Sequence, residues 1–243
     1  MNFKGAILTK VKKPLQIVNN LKFTNLKRGQ VLVKMFHSSI CRSQIMEIEG
    51  KRGKDKYIPH LLGHEGSGVV EKVGNGVSKV LPGDKVFLSW IKGKGIETGG
   101  TKIKSNRGII NAGPVTTFSN YSIISENRCF LIPRKFPIKK SVIFGCALPT
   151  GAGIVINEIK PKPKDSICII GLGGVGLSVL MACKMLKLKN IIVVDVDKNV
   201  TLDNDAPVAT TTTAGNIDNN SNPSTPTIMG NGGSTTVEDE TPR

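Results

Sequence analysis

The sequence predicts an α/β plus β protein. A β-rich, barrel-like domain covers residues 1–150, an incomplete α/β nucleotide-binding unit covers 151–199, and a low-complexity tail covers 200–243. Three observations carry that reading. Short apolar stretches separated by Gly and Pro turns recur through the first half of the chain, as in closed or nearly closed all-β domains. From Ser166 to Asp197 an apolar strand, a glycine turn, a helix-length segment and a second strand follow in order. After Asn199 the composition breaks, with Thr, Asn, Gly, Pro and Ser replacing lysine and the aliphatic residues.

In chain order, Lys4–Lys10 alternates as a strand does, and Gln16–Asn19 follows before the Gly29 turn. Val31–His37 is the strongest early strand and runs directly into Ser38–Ser43. A Gly- and Lys-rich loop over Ile48–Pro59 then precedes HLLGHEGSGVVEKVGNG, in which Val69–Val73 reads as a strand. Turns are expected at Gly74-Asn75-Gly76 and Pro82-Gly83-Asp84. Lys92–Pro114 has weak periodicity and reads as a loop, whereas Tyr121–Ile124 and Cys129–Ile132 read as strands. Ser141–Ile159, apolar with small residues, predicts helices joining the two domains, and Pro161, Pro163 and Asp165 end it. The tail holds six acidic residues and one arginine, with too few apolar side chains to offset its ordering entropy. It is expected to be disordered and to add no strand to the sheet.

The segment Ser166–Asp197 has the parts of a dinucleotide site. Ile167–Ile170 is the strand, Gly171, Gly173 and Gly176 form the turn, and Leu177–Leu188 is the helix. Gly171 permits the tight turn, Gly173 lets backbone approach a pyrophosphate, and Gly176 permits close packing of helix on strand. The free N–H groups at the helix start favour phosphate charge. The second strand ends at Asp195, 19 residues beyond Gly176, where a carboxylate accepts from a ribose hydroxyl and repels a 2′-phosphate. NAD is therefore expected rather than NADP. The same glycines also suit a purely structural turn.

A formal charge of +16 invites a polyanion partner, but the lysines alternate with apolar residues and aromatics are only 5% of the chain. No stretch combines clustered basic residues with stacking aromatics, so nucleic acid is not the expected partner. Five cysteines, Cys41, Cys129, Cys146, Cys168 and Cys183, form no CxxC pair and no disulfide framework. The N-terminal apolar stretch is too short for a signal peptide, so a reducing cytoplasm is the expectation. Ser166–Leu186 approaches membrane-spanning length with few charges, but its glycine punctuation argues for a strand and helix instead of a span.

Cys41 after a strand, His64 in GHEGSG and Cys146 in GCALPTG could converge on one borderline-soft ion such as zinc. On spacing alone, each thiol reads equally as a buried structural cysteine. His64-Glu65 is not a helical metalloprotease motif, because Gly68 stands where a second His is required. His37 and His60 read as partly buried or surface imidazoles, and Cys129, Cys168 and Cys183 as core residues.

Taken together, CRS at Cys41–Ser43, GHEGSGVVEKVGNGV from Gly63, PGDKV from Pro82, GCALPTGAG from Gly145, and GLGGVG with VVDVD resemble the zinc-containing alcohol dehydrogenases of the medium-chain dehydrogenase/reductase superfamily. That family pairs a GroES-like, β-rich catalytic domain with a Rossmann domain and sets the active site between them. The Cys₂His set with an open fourth position is the ligand set of alcohol dehydrogenase itself. The resemblance implies one catalytic Zn²⁺ on Cys41, His64 and Cys146, with Glu65 as a carboxylate just outside the ligands. It implies Ser43 as the hydroxyl that takes the substrate proton, Arg42 near the cofactor pyrophosphate, Thr150 against the nicotinamide and Trp90 lining the substrate pocket.

The implied reaction moves a hydride between an alcohol, or an aldehyde or ketone in reverse, and NAD. The metal lowers the alcohol's pKa and Ser43 relays its proton. Slim primary alcohols or aldehydes are the expected substrates, and the resemblance allows a homo-oligomer in full-length relatives. Gln44 replaces an acidic residue that often orients the metal-bound His, and Met46 replaces a His of the proton relay. Lys92–Pro114 lacks the four cysteines of a second, structural zinc. The Rossmann part shows two strands of a longer series, which implies a C-terminally truncated chain and an unpaired sheet edge. The alternative is a non-catalytic remnant that binds zinc but not NAD.

Overall fold

The computed structural model describes residues 2–23, 25–106, 108–197, 208–212, 228–230 and 233–235. They fall into two compact units, Met1–Cys146 and Ala147–Arg243.

In the first unit, β1 (Asn2–Leu8), β2 (Gln16–Lys22), β4 (His60–Leu61), β7 (Thr101–Ser105) and β8 (Gly108–Ala112) close into a barrel in the order β1-β2-β7-β8-β4. Alternation in β1 sends Phe3, Gly5 and Ile7 inward, where Phe3 and Ile7 meet Leu21, Leu61, Ile103 and Ile110. A second sheet runs β10-β6-β5-β3-β9. Its strands are β3 (Gln30–Ser38), β5 (Gly66–Val73), β6 (Lys85–Leu88), β9 (Tyr121–Ser125) and β10 (Cys129–Leu131). β3 is an inner strand, antiparallel to both β5 and β9. Val31 and Val33 are buried on it against Val70, Val80, Val86 and Ile124. Each such side chain contributes about 1.5–3 kcal/mol by leaving water, which fixes the register of the strand that leads to Cys41.

The segment Lys92–Pro114, expected as a loop, contains β7 and β8. TKIKS and GIINA are too short and too rich in Lys and Gly to stand out, but Ile103 and Ile110 pair across the hairpin and fill the barrel. The approach to that hairpin is held by carboxylates instead of apolar packing. Glu126, almost wholly buried, accepts from the backbone N–H groups of Ser78, Lys79 and Ile96. Glu97 accepts from Asn127 Nδ2 at 3.2 Å and pairs with Arg128 Nη2 at 3.2 Å. Burial raises the Glu97 carboxyl, the Asn127 and Arg128 hydrogen bonds more than offset it, and its pKa falls to about 2.

In the second unit, a 3-10 turn over Lys140–Gly145 of the first gives way to α2 (Ala147–Gly153) and a π-helical segment, Ile154–Ile159, so Ser141–Ile159 is helical as expected. β11 (Ser166–Ile170), α3 (Gly174–Met185) and β12 (Asn190–Asp195) form a βαβ unit with parallel strands in register from Ser166↔Asn190 to Ile170↔Val194. The helix starts three residues earlier than Leu177, so Gly176 lies inside it. Ile169, Leu172, Leu180, Cys183, Ile191 and Val193 form the core. Cys168, expected in that core, is exposed: β11 alternates, and Cys168 shares with Ser166 and Ile170 the face turned away from α3.

The sheet was expected to end at β12, yet β13 (Val208–Thr212) adds a third parallel strand, from Ile191↔Val208 to Asp195↔Thr212. Threonine is β-branched and its backbone completes a ladder as well as valine's does, which a reading based on apolar content misses. Ile228–Gly230 and Gly233–Thr235 pair as a short antiparallel ladder. The remaining residues of the expected disordered tail lie outside the described residues. Among the described residues no helix is long and apolar enough to cross a membrane.

Candidate metal centre

The first unit brings Cys41, His64, Glu65 and Cys146 together, one ligand atom from each lying within 4.8 Å of all the others. Cys41 is delivered by the end of β3. It occupies the N-cap of α1 (Arg42–Ile48) in extended conformation, φ −88° and ψ 149°, and its side chain makes no capping bond. His64 and Glu65 lie between β4 and β5. Gly63 before them has φ +88°, a left-handed turn in which a Cβ would meet Thr117 Oγ1 at 2.3 Å. The Glu65 carbonyl accepts from Ser38 Oγ and Thr117 Oγ1, both at 3.1 Å, so the backbone carrying the imidazole is pinned.

Cys146 arrives from the end of the unit. A Cβ on Gly145 would stand 2.4 Å from the Leu88 carbonyl and 2.5 Å from Glu65 Cβ, so only glycine lets this segment close onto Glu65. Ser89 Oγ donates to the Gly145 carbonyl at 2.7 Å and locks that approach.

The electrostatics suit a cation. Burial pushes the His64 imidazole down, with Arg52 adding to the effect, so the ring is neutral near pH 7 and its lone pair is available. His64 Nε2 is buried without a hydrogen-bond partner, while Nδ1 stands 2.5 Å from the Gln44 amide. Ligand atoms around a tetrahedral zinc with Cys and His ligands are about 3.3–3.8 Å apart, which the cluster can close to with small side-chain movements. The donor set and the orphaned Nε2 therefore fit zinc. Glu65, 3% exposed, stands as close as the other three, so a carboxylate is at hand as a fourth donor as well as an outer partner. The Gln44 amide occupies the place where sequence reasoning saw only a missing carboxylate.

The other sequence-predicted residues distribute as follows. Ser43, in the first turn of α1, has a buried Oγ without a partner, and Arg42 beside it is exposed. Trp90 follows Ser89 and is half-exposed, its carbonyl accepting from Arg128 Nη1. Thr150, Gly171, Gly173, Gly176 and Asp195 belong to the second unit. Thr150 Oγ1 on α2 is buried without a partner. Gly171 turns with φ +91°, Gly173 has open space beside it as the N-cap of α3, and a Cβ on Gly176 would stand 1.8 Å from the Gly171 carbonyl. Asp195 is already engaged: it accepts from the Leu172 and Asp197 N–H groups, which lower its pKa, and thereby ties the glycine turn to the end of β12.

Comparison with known proteins agrees with this arrangement. Residues 27–134 match the alcohol dehydrogenase GroES-like domain family. The chain is 34% identical over 220 residues to alcohol dehydrogenase 6 of Peromyscus maniculatus, covering 81% of this chain and 58% of that protein. Among solved structures, benzyl alcohol dehydrogenase from Acinetobacter calcoaceticus is 29% identical with a TM-score of 0.69, covering 82% of this chain and 59% of that one. An alcohol dehydrogenase zinc-binding domain protein from Burkholderia ambifaria, 24% identical, shares the fold with a TM-score of 0.71 over 81% of this chain and 60% of that one. The GroES-like domain match and these relatives support a zinc-type alcohol dehydrogenase of the medium-chain dehydrogenase/reductase superfamily. The chain spans about 60% of the length of these relatives.

Proposed function

We propose that the chain is a zinc-dependent oxidoreductase that transfers a hydride between an alcohol, or the corresponding aldehyde or ketone, and NAD. The convergence of Cys41, His64 and Cys146 on one point is the observation that carries this reading. When bound, zinc supplies a Lewis acid that makes an alcohol hydroxyl acidic near neutral pH, or polarises a carbonyl. The chain's own residues supply the rest. Gln44 fixes the His64 ring, Ser43 Oγ accepts the substrate proton, and Met46 leaves that proton to depart through water. Glycines 171, 173 and 176 admit the cofactor diphosphate at the start of α3, Asp195 favours a free ribose 2′-hydroxyl, and Thr150 and Arg42 contact the cofactor. Trp90 narrows the substrate space toward slim alcohols.

NADH titration tests the reading. Saturable binding is expected, weakened at least about tenfold by Asp195→Ala and unchanged by Cys146→Ala, which instead removes zinc. The absence of binding at millimolar NADH in zinc-loaded protein would overturn the enzyme reading in favour of a zinc-binding, non-catalytic chain.

A further inference from the structure

A second grouping of ligand atoms lies in the first unit, formed by Glu47, Asp55 and His60, again mutually within 4.8 Å. Glu47 extends from α1, Asp55 from the loop after it, and His60 opens β4. His60, expected from the sequence as a partly buried or surface imidazole, has a side chain only 8% exposed. His60 Nδ1 stands 2.9 Å from the Leu61 carbonyl. That contact assigns the proton to Nδ1 and aims Nε2 at the two carboxylates, the arrangement by which metal-ligating histidines are oriented.

Each carboxylate has one oxygen held elsewhere and one turned to Nε2. Asp55 Oδ1 accepts the Tyr57 N–H at 2.8 Å, leaving Oδ2 at 2.7 Å from Nε2. Glu47 Oε2 faces Arg52 Nη1 at 3.8 Å, leaving Oε1 at 3.7 Å from Nε2. Ligand atoms on a tetrahedral ion with bonds of about 2.0–2.1 Å stand roughly 3.3 Å apart, between these two separations. Burial raises the Asp55 carboxyl, the Tyr57 N–H and His60 lower it, and the net direction is down, so the group is anionic at neutral pH. Glu47 and His60 also line a cavity of about 1060 Å³, which gives an ion entry and room for water in its remaining positions.

We propose that Glu47, Asp55 and His60 form a second divalent-cation site, free of thiolates and suited to zinc or cobalt. The incoming ion takes the place of the proton that His60 Nε2 and Asp55 Oδ2, 2.7 Å apart, share in its absence. One nitrogen and two carboxylates favour such borderline ions over calcium and magnesium, which require six or more oxygens or near-octahedral shells. Nothing in this site uses Cys41, His64 or Cys146, so the two proposals fail separately.

Equilibrium dialysis of the full chain against micromolar free Zn²⁺, followed by metal analysis, tests it. Wild type is expected to retain two zinc ions per chain, and a Cys41→Ser, Cys146→Ser double variant one. Asp55→Asn, which keeps the bond to Tyr57, and His60→Gln are each expected to retain one, the lost ion binding at least about 100-fold more weakly. With Co²⁺, the site lost in Asp55→Asn should contribute weak visible bands only, whereas the site lost in the double variant should contribute intense thiolate charge-transfer absorption. A folded Cys41→Ser, Cys146→Ser double variant that retains no ion, or a folded Asp55→Asn that retains as many ions as wild type, would overturn the proposal. If His60→Gln does not fold, Asp55→Asn decides alone.

Discussion

Replacing Gln44 should change zinc affinity by a calculable amount. Zinc on His64 Nε2 requires the proton on Nδ1, and that N–H then needs an acceptor. Among the described residues the Gln44 amide nitrogen stands at hydrogen-bonding distance from Nδ1, while Gln44 Oε1 is buried without a partner. The oxygen and nitrogen of an amide exchange by a half-turn, so the zinc-loaded protein places Oε1 on Nδ1–H and satisfies both groups. Gln44 is 3% exposed, so its removal takes a buried acceptor from the Nδ1–H. Gln44→Leu removes the acceptor and leaves a buried donor unpaired, at about 1–3 kcal/mol, or roughly 5- to 150-fold in zinc affinity. Gln44→Glu places a charged acceptor at the same reach and should tighten zinc several-fold, because charge-assisted hydrogen bonds are about twice as strong as neutral ones. Competition with a chromophoric chelator measures both, and thermal melts of the metal-free proteins separate loss of the fold from loss of the site. Zinc affinities of Gln44→Leu and Gln44→Glu both within twofold of wild type would refute this reasoning.

Two further outcomes follow from the described geometry. Gly176→Ala puts a Cβ 1.8 Å from the Gly171 carbonyl, so helix and turn must separate. A loss of at least about 1–3 kcal/mol in stability and of measurable NADH binding is expected, read by chemical denaturation and titration; a full-affinity, wild-type-stable variant would contradict the packing role of Gly176. Glu97 has a folded pKa of about 2 against an ordinary 4.5, so its stabilisation is fully present above pH 4.5 and is lost as pH falls toward 2. Because Glu97 is partly solvent-screened, the contribution is roughly 1–2 kcal/mol, and Glu97→Gln should flatten the acid limb of the stability curve by that amount while leaving zinc content unchanged.

The parts of the fold legible in the sequence are those where apolar periodicity and glycine placement agree. Strand β3 and the strand-turn-helix at Ser166–Met185 are of that kind, whereas the grouping of Cys41, His64 and Cys146 is implied by the family resemblance and not by spacing. β7 and β8 escaped because Ile103 and Ile110 are each the one large apolar side chain buried in a five-residue strand, and pairing, not composition, makes them strands. β13 escaped because a run of threonine was counted as polar filler. Gln44 was read as a loss of charge, since sequence shows which group is missing and not whether an amide can reach the same atom. His60 offered a faint signal, an imidazole four positions before His64 with Asp55 upstream, but only folding shows that α1 sets Glu47 beside them.

α1 is seven residues long, roughly 10 Å of helix, and it carries Cys41 at its cap, then Ser43, Gln44 and Glu47. A cysteine sulfur, a hydroxyl, the amide beside His64 and a carboxylate of the neighbouring grouping thus move as one rigid piece. A substitution anywhere beneath this helix that tilts it by a few degrees degrades all four alignments at once. The chemistry of the whole unit is therefore mechanically coupled to one short rod, and its loss through mutation should be abrupt instead of graded.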